Sequence, residues 1–295
     1  MEDKRTKKLR LRFITLCANE DFFHAVKKGM KDAADFLNAD TEFVGTDDID
    51  IPLQVSLCEK AISDSVDGIA LNLPDKTAFN DVVQKAKNAG IPVIAFNMDA
   101  SDGKAGNLSK VCQDTRSAGR TLGQLALPTL KMNGKVLMTV HSEGISGLEE
   151  RLKGIQEIIS AKNIRWEVLN TGNEPQLASG RITEALNADP DISAILCSGQ
   201  TDTEGAGISL EKNFPDRELY IGGFDVSPGI LRFIQKGIIA VTIDQQPYLQ
   251  GFFPVVQLVL NIRYGITPSN IDAGANVIDK DNVGDVLSLS IEGYR

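Results

Sequence analysis

Histidine is nearly absent: the 295 residues hold two, His24 and His141. A histidine-rich metal site is therefore excluded, and histidine-based acid–base catalysis has little to work with. Cysteine is sparse as well. Cys17, Cys58, Cys112 and Cys197 lie far apart, which excludes CxxC redox or zinc spacing. Cys17, Cys112 and Cys197 end apolar, strand-like runs and are expected as small buried thiols. Long apolar runs are missing. The most apolar stretch, residues 252–260, is broken by Pro254 and Gln257 and is far too short to span a membrane. Positive charge is in deficit, with 31 Lys and Arg against 40 Asp and Glu, net −9. Such a chain lacks the electrostatic footprint of a nucleic-acid binder. No phosphate-cradling loop is present. Residues 199–207 (GQTDTEGAG) carry neither a Lys-Ser/Thr ending nor dinucleotide spacing, and read as a strand-to-helix turn capped by Thr201 or Asp202. His141, Ser142 and Ser146 are close in sequence but form no GxSxG elbow. With no nucleophile–base pair or cofactor loop in view, the chain is expected not to be an enzyme, without catalytic residues, cofactor or metal.

The composition that remains, 42% hydrophobic and 24% charged, is that of a globular chain, and the length predicts two domains. Residues 1–19 (MEDKRTKKLRLRFITLCAN) read as a basic start, Lys4 to Arg12, running into a first strand; the apolar run is too short for a signal peptide, so an export signal is not expected within this chain. Apolar runs of strand length appear at residues 11–16, 42–45, 68–71, 92–96, 135–140, 166–169, 194–197, 220–223 and 239–243. Helix-length segments of 3.6-residue periodicity separate them. One carries Phe22, Val26, Met30, Ala33 and Leu37 behind Asn19 and Asp21 as candidate caps; another carries Val82, Val83, Ala86 and Ala89 before Gly90 and Pro92. This alternation predicts βαβ units with parallel sheets, apolar on both faces because helices cover both. A first series of strands ends near Gln113. A helical segment (residues 117–131) and Asn133-Gly134 precede a second series, which runs to about Asp244; a helix over 247–264 and a short strand over 275–278 follow. Two α/β lobes are expected, residues 1–114 plus 246–276 and residues 115–245 plus 277–295, with crossings near 113–116, 244–247 and 275–279.

In open α/β sheets ligands gather beyond the carboxyl ends of the strands. Those ends read Asn19-Glu20-Asp21-Phe22-Phe23, Asn72-Leu73-Pro74-Asp75 and Asn97-Met98-Asp99 in the first half. In the second they read His141-Ser142-Glu143-Gly144, Gly199-Gln200-Thr201-Asp202, Gly223-Phe224-Asp225 and Asp244-Gln245-Gln246. Carboxylates and amides satisfy vicinal hydroxyls, and aromatic rings cover the C–H face of a sugar. Each Asn or Asp alone is more simply a cap or turn residue; the convergence of the whole set points to a hydroxyl-rich ligand. Trp166, the single tryptophan, lies in an apparent strand away from these ends and is expected to pack in the core or half-exposed.

The order and spacing of several fragments carry a resemblance. They are Asp21-Phe22-Phe23, Asp67-Gly68-Ile69 leading to Asn72, Gly90-Ile91-Pro92-Val93-Ile94, Gln113-Asp114, Arg151-Leu152-Lys153-Gly154, Gly222-Gly223-Phe224-Asp225-Val226-Ser227-Pro228 and Thr242-Ile243-Asp244-Gln245-Gln246-Pro247. From about Leu11 to Val286 the chain resembles periplasmic sugar-binding proteins of the ribose-binding type. The resemblance implies the type I periplasmic-binding fold, a Venus flytrap: two Rossmann-like α/β lobes joined by a three-crossing hinge and closing over a ligand. It implies a non-enzymatic, exported solute-binding protein of the periplasm or cell surface, a monomer that delivers its sugar to an ABC transporter permease.

The same resemblance implies ligand roles for Phe22 and Phe23, for Asp225 after the Gly-Phe pair, and for Gln245 at the second crossing. Glu20, Asn72, Asn97, Asp99, Glu149, Arg151, Gln200 and Asp202 complete the candidate set. The chain departs from the ribose pattern at Asn97-Met98, where Asp-Arg is usual, at Glu149, where Arg is usual, and at Glu20, where Asn is usual. Two cations are lost, so a neutral sugar or sugar alcohol is expected rather than a phosphorylated or acidic one. Replacing Asp225 by Ala is expected to abolish binding while leaving the melting temperature nearly unchanged. The alternative reading is the ligand-sensing domain of a sugar-responsive regulator or membrane sensor. The few residues ahead of the first strand are too short for a helix-turn-helix, which weighs against the regulator.

Overall fold

The computed structural model describes residues 6–100, 105–131, 134–162 and 164–295. Lys4 and Arg5 of the basic start and Asn133 of the expected turn lie outside the described residues. Twelve strands and ten helices follow one another among the described residues. The chain begins with β1 (Leu9–Thr15), α1 (Phe23–Leu37), β2 (Ala39–Gly45), α2 (Ile51–Ser63), β3 (Gly68–Leu73), α3 (Asn80–Asn88), β4 (Val93–Asp99) and β5 (Ser109–Cys112). It continues with α4 (Thr115–Ala126), β6 (Lys135–Val140), α5 (Ser146–Ser160), β7 (Arg165–Asn170), α6 (Pro175–Ala188), β8 (Ile192–Cys197) and α7 (Gln200–Asn213). Then come β9 (Tyr220–Phe224), α8 (Pro228–Gln235), β10 (Val241–Asp244), α9 (Pro247–Tyr264), β11 (Ile271–Asp272), β12 (Asn276–Asp279) and α10 (Val283–Ile291).

Two compact units divide these elements. The first comprises residues 1–113, 246–273 and Tyr294; the second comprises residues 114–245, 274–293 and Arg295. Asp114 and residues 274–276, assigned to the first lobe from sequence, thus fall in the second unit. The pairing explains it: Asp114 caps α4 through Ser117 N (3.0 Å), and Asn276 pairs with Asp244 in the second sheet. Each unit holds a six-stranded sheet, in the order β11-β5-β4-β3-β1-β2 in the first and β12-β10-β9-β8-β6-β7 in the second. The pairings are parallel save one: β12 runs antiparallel to β10, with Val241 opposite Asp279. β5 and β11 have too few residues to stand out as apolar runs, and Ile239, expected to begin β10, lies just outside it.

In the first unit alternate residues of a strand feed opposite faces of the sheet. Phe13 joins Val26, Met30, Phe96, Val255 and Leu258 beside α1 and α9. Ile14 joins Cys58, Ile69, Leu71, Val83 and Ala86 beside α2 and α3. In the second unit Leu137, Ile182, Ile195, Phe233 and Val286 form the core under α6, α7, α8 and α10, while α4 and α5 pack on each other. Full burial of a side chain such as Phe13 stabilises a fold by roughly 1.5–3 kcal/mol.

Glycines let paired helices touch. A Cβ on Gly29 of α1 would lie 2.1 Å from the Tyr248 carbonyl oxygen, and one on Gly251 of α9 would lie 1.9 Å from that of Val26. The second unit repeats the device: a Cβ on Gly119 of α4 would meet Arg151 O at 2.1 Å, and one on Gly154 of α5 would meet Arg116 O at 2.2 Å. Helix α9 runs from Pro247 in the first turn to Gly265, whose left-handed φ of 67° ends it. Helix α1 departs from expectation. Neither Asn19 nor Asp21 caps it: Phe22 stands at the cap position, and the Asn19 amide bonds Asp47 instead (2.8 Å).

Candidate functional site

In the first unit the carboxyl ends of β1, β3 and β4 bring amides together. Asn72 is buried; its Nδ2 donates to Thr15 Oγ1 (2.9 Å) and to Asn97 Oδ1 (3.2 Å). Asn97 Nδ2 donates in turn to Gln250 Oε1 of α9 (3.3 Å), and Gln54 Nε2 of α2 donates to the Asn72 carbonyl (2.8 Å). Within this amide network Asn72 Oδ1 and Gln54 Oε1 are buried without a partner. Asp99 closes β4 and accepts a long bond from Asn107 Nδ2 (3.4 Å). Glu20 is half-buried in the loop after β1, where burial first and Glu20 second push the Cys17 thiol up to about 12. The other three cysteines are also buried free thiols, inert for the same reason. Of the aromatic pair, Phe23 is interior: 3% exposed, it packs with Phe43 in the core. Phe22 is half-buried and meets Phe23 edge-to-face at 5.1 Å, so of the two only Phe22 keeps surface to offer a ligand.

The second unit gathers charge instead. Arg151 of α5 is 4% exposed; its guanidinium donates to the Ser198 carbonyl (2.9 Å), stands 3.5 Å from Asp225 Oδ2 and stacks over the Phe224 ring at 4.1 Å. Burial lowers the Arg151 pKa, and Asp225 and Asp202 work against that shift. Gln245 Nε2 donates to Asp225 Oδ1 (2.6 Å). Asp225, Gln245 and Arg151, read separately from sequence, therefore form one buried constellation. Glu149 is exposed and accepts from the Gly144 amide (3.0 Å). Gln200 opens α7, and its Oε1 is buried without a partner. Asp202, offered by the sequence both as a cap and as a ligand group, caps α7. It is fully buried and accepts from Thr139 Oγ1 (2.7 Å), Ser198 N (2.8 Å) and Gly199 N (2.9 Å).

The run Gly222 to Pro228 now has a physical reading. A Cβ on Gly223 would strike Thr203 Oγ1 at 2.1 Å. Phe224 lies under Arg151. Asp225 is held in the left-handed region at φ 70° by its amide on Ile243 O (2.9 Å) and its carbonyl on Thr242 Oγ1 (2.7 Å). Ser227 caps α8 through Ile230 N (3.1 Å), and Pro228 starts it. In the first sheet β4 holds the third place that β9 holds in the second, and Asn97 has a left-handed φ of 62°. A left-handed backbone at a non-glycine residue costs of order 1–3 kcal/mol and clusters at functional sites. Two such residues at equivalent strands mark Asn97 and Asp225 as the centres of their units' candidate sets. Gln54, Gln250 and Thr15 carry no strand-end signal in the sequence: the first two sit within α2 and α9, and Thr15 lies inside the apolar run 11–16 although it closes β1.

A family model described as a periplasmic binding protein domain matches residues 13–264. The xylose/arabinose-binding protein XylF of Sulfolobus acidocaldarius is 29% identical over 293 residues, covering 94% of this chain and 73% of that protein. Among solved structures, a carbohydrate transporter of Acidothermus cellulolyticus in complex with myo-inositol is 26% identical with a TM-score of 0.87, over 98% of this chain and 100% of that one. A solute-binding protein of Burkholderia graminis in complex with D-arabinose is 25% identical with a TM-score of 0.88, over 96% and 98%. With two six-stranded α/β units, the chain passing between them at 113/114, 245/246 and 273/274, and a match across most of its length, the chain belongs to the periplasmic binding protein family, beside its ribose-type sugar-binding members.

Proposed function

We propose that this protein captures a neutral sugar or sugar alcohol, its two units closing on the ligand, and presents it to the permease of an ABC transporter. The observation that carries the reading is the state of Arg151. Its charge is taken up by Asp225, the Ser198 carbonyl and the Phe224 face, so it has little left for an anionic ligand. The remaining groups, Asn72, Asn97, Gln200 and Gln245 with Glu20, Asp99 and Asp225, accept and share hydroxyl protons. The relatives solved with myo-inositol and D-arabinose support the same ligand class.

Calorimetry with D-xylose, D-arabinose, D-ribose, myo-inositol and ribose 5-phosphate tests it. A neutral member is expected to bind at micromolar Kd or tighter, about 8 kcal/mol. Tighter binding of the phosphate, or no binding across the panel, would overturn it. Asp225→Asn is expected to weaken the neutral sugar at least ten-fold. Asp225→Ala is also expected to unfold more easily, by about 3–5 kcal/mol, because it strands the buried Arg151. This expectation replaces that of an unchanged melting temperature.

A further inference from the structure

We propose that His141 is a ligand-contacting residue of the second unit, its free ring nitrogen acting with the unpaired side-chain oxygen of Gln200 on one hydroxyl group of the bound sugar. The inference rests on the sugar-binding reading above and extends it to a residue outside the candidate set. His141 directly follows β6, at the carboxyl edge of the sheet beside β8. Its Nδ1 lies 3.0 Å from Ser142 Oγ, while Nε2 has no hydrogen-bond partner among the described residues. The ring lies against Gly199: a Cβ there would meet His141 Cδ2 at 2.8 Å and Nε2 at 3.0 Å. The free nitrogen thus abuts the residue that precedes Gln200, whose Oε1 is buried and unpaired, as is Ser198 Oγ on the other side. A buried acceptor without a partner keeps an unrecovered desolvation penalty, which a ligand donor would relieve.

The chemistry selects a hydroxyl. Burial, and after it the Arg151 charge, holds the imidazole neutral by lowering its pKa to about 4. A neutral imidazole has one donor and one acceptor nitrogen, and the Ser142 hydroxyl can turn to serve either tautomer. Nε2 can therefore give or take a proton, whereas Gln200 Oε1 can only take one. A hydroxyl can donate to Gln200 and pair with Nε2 at once. A carboxylate or fully ionised phosphate has no proton to donate, and an ammonium would face Arg151.

Two histidines make the test direct, because His24 is exposed, its side chain 70% accessible. Imidazole ¹H–¹⁵N spectra of the wild-type protein, assigned by the peak missing from His141→Gln, are followed as D-arabinose or myo-inositol is added. The His141 Nε2 resonance is expected to shift with saturation while that of His24 stays put. By calorimetry His141→Ala is expected to weaken the sugar at least ten-fold, and His141→Gln, which keeps a donor and an acceptor, to regain part of the loss. Wild-type protein that binds the sugar with the His141 resonance unmoved and His141→Ala undiminished would overturn this inference and leave the sugar-binding reading standing. Wild-type protein that binds none of the sugars would overturn both.

Discussion

At the scale of single residues, Asp202 shows burial and hydrogen bonding pulling against each other. The Thr139 hydroxyl and the Ser198 and Gly199 amides favour its carboxylate; burial opposes them and wins, raising the pKa to about 7. Between the ordinary value of 3.8 and about 7 the folded protein therefore holds a proton that the unfolded chain has released. The stability from this group is present below about pH 4 and is lost as pH rises through about 7. Melting temperatures measured from pH 4 to 8 should fall less steeply for Asp202→Asn than for wild type; parallel curves would show that the folded carboxyl titrates where an ordinary one does. The sequence offers Asp202 both as a cap and as a strand-end ligand group, and only the fold shows three donors of its own chain on the buried carboxylate. Phe23 is the same case: adjacent phenylalanines look alike in sequence, and the helix turns only one of them into the core.

At the scale of elements, the glycine contacts between α1 and α9 and between α4 and α5 explain positions that sequence presents only as fragments of a pattern. Gly154 ends the run Arg151-Leu152-Lys153-Gly154 because the backbone of α4 passes where its side chain would be. Gly251→Ala should lower stability by about 1–3 kcal/mol, since the new methyl pushes α9 from α1. Gly180 of α6 has open space, with nothing within 4 Å of the point a methyl group would occupy, so Gly180→Ala should gain about 0.5–1 kcal/mol. Urea unfolding of both variants reads the contrast, and equal effects would contradict the packing argument. Most helices and strands were legible because the helices keep a 3.6-residue apolar period and the doubly covered strands read as short apolar runs. β5 (SKVC) and β11 (ID) were not, because neither holds more than two consecutive apolar residues and each is defined by its neighbours' hydrogen bonds rather than by its own pattern.

At the scale of the whole molecule, the chain passes from one unit to the other between Gln113 and Asp114, between Gln245 and Gln246 and between Ala273 and Gly274. Gln246 marks the second passage with a left-handed φ of 53°, its amide donating to Ala273 O beside the third (2.6 Å). The proposed closure predicts a smaller radius of gyration by X-ray scattering when a binding sugar saturates the protein, with the circular dichroism spectrum unchanged. A tightly bound sugar that leaves the radius unaltered would refute closure.

By itself the sequence determined the α/β alternation, the two-unit organisation and the strand ends where polar groups gather, because each follows from local periodicity and turn chemistry repeated along the chain. It also determined the scarcity of cations near those ends, which composition and position state directly. Only the tertiary structure decided which polar side chains remain available. Asp225 with Arg151, Asp202 with Thr139, and His141 against Gly199 are partnerships between residues 58 to 74 positions apart. Burial and hydrogen-bond satisfaction are set by what the folded chain brings alongside a group, and no local pattern records that.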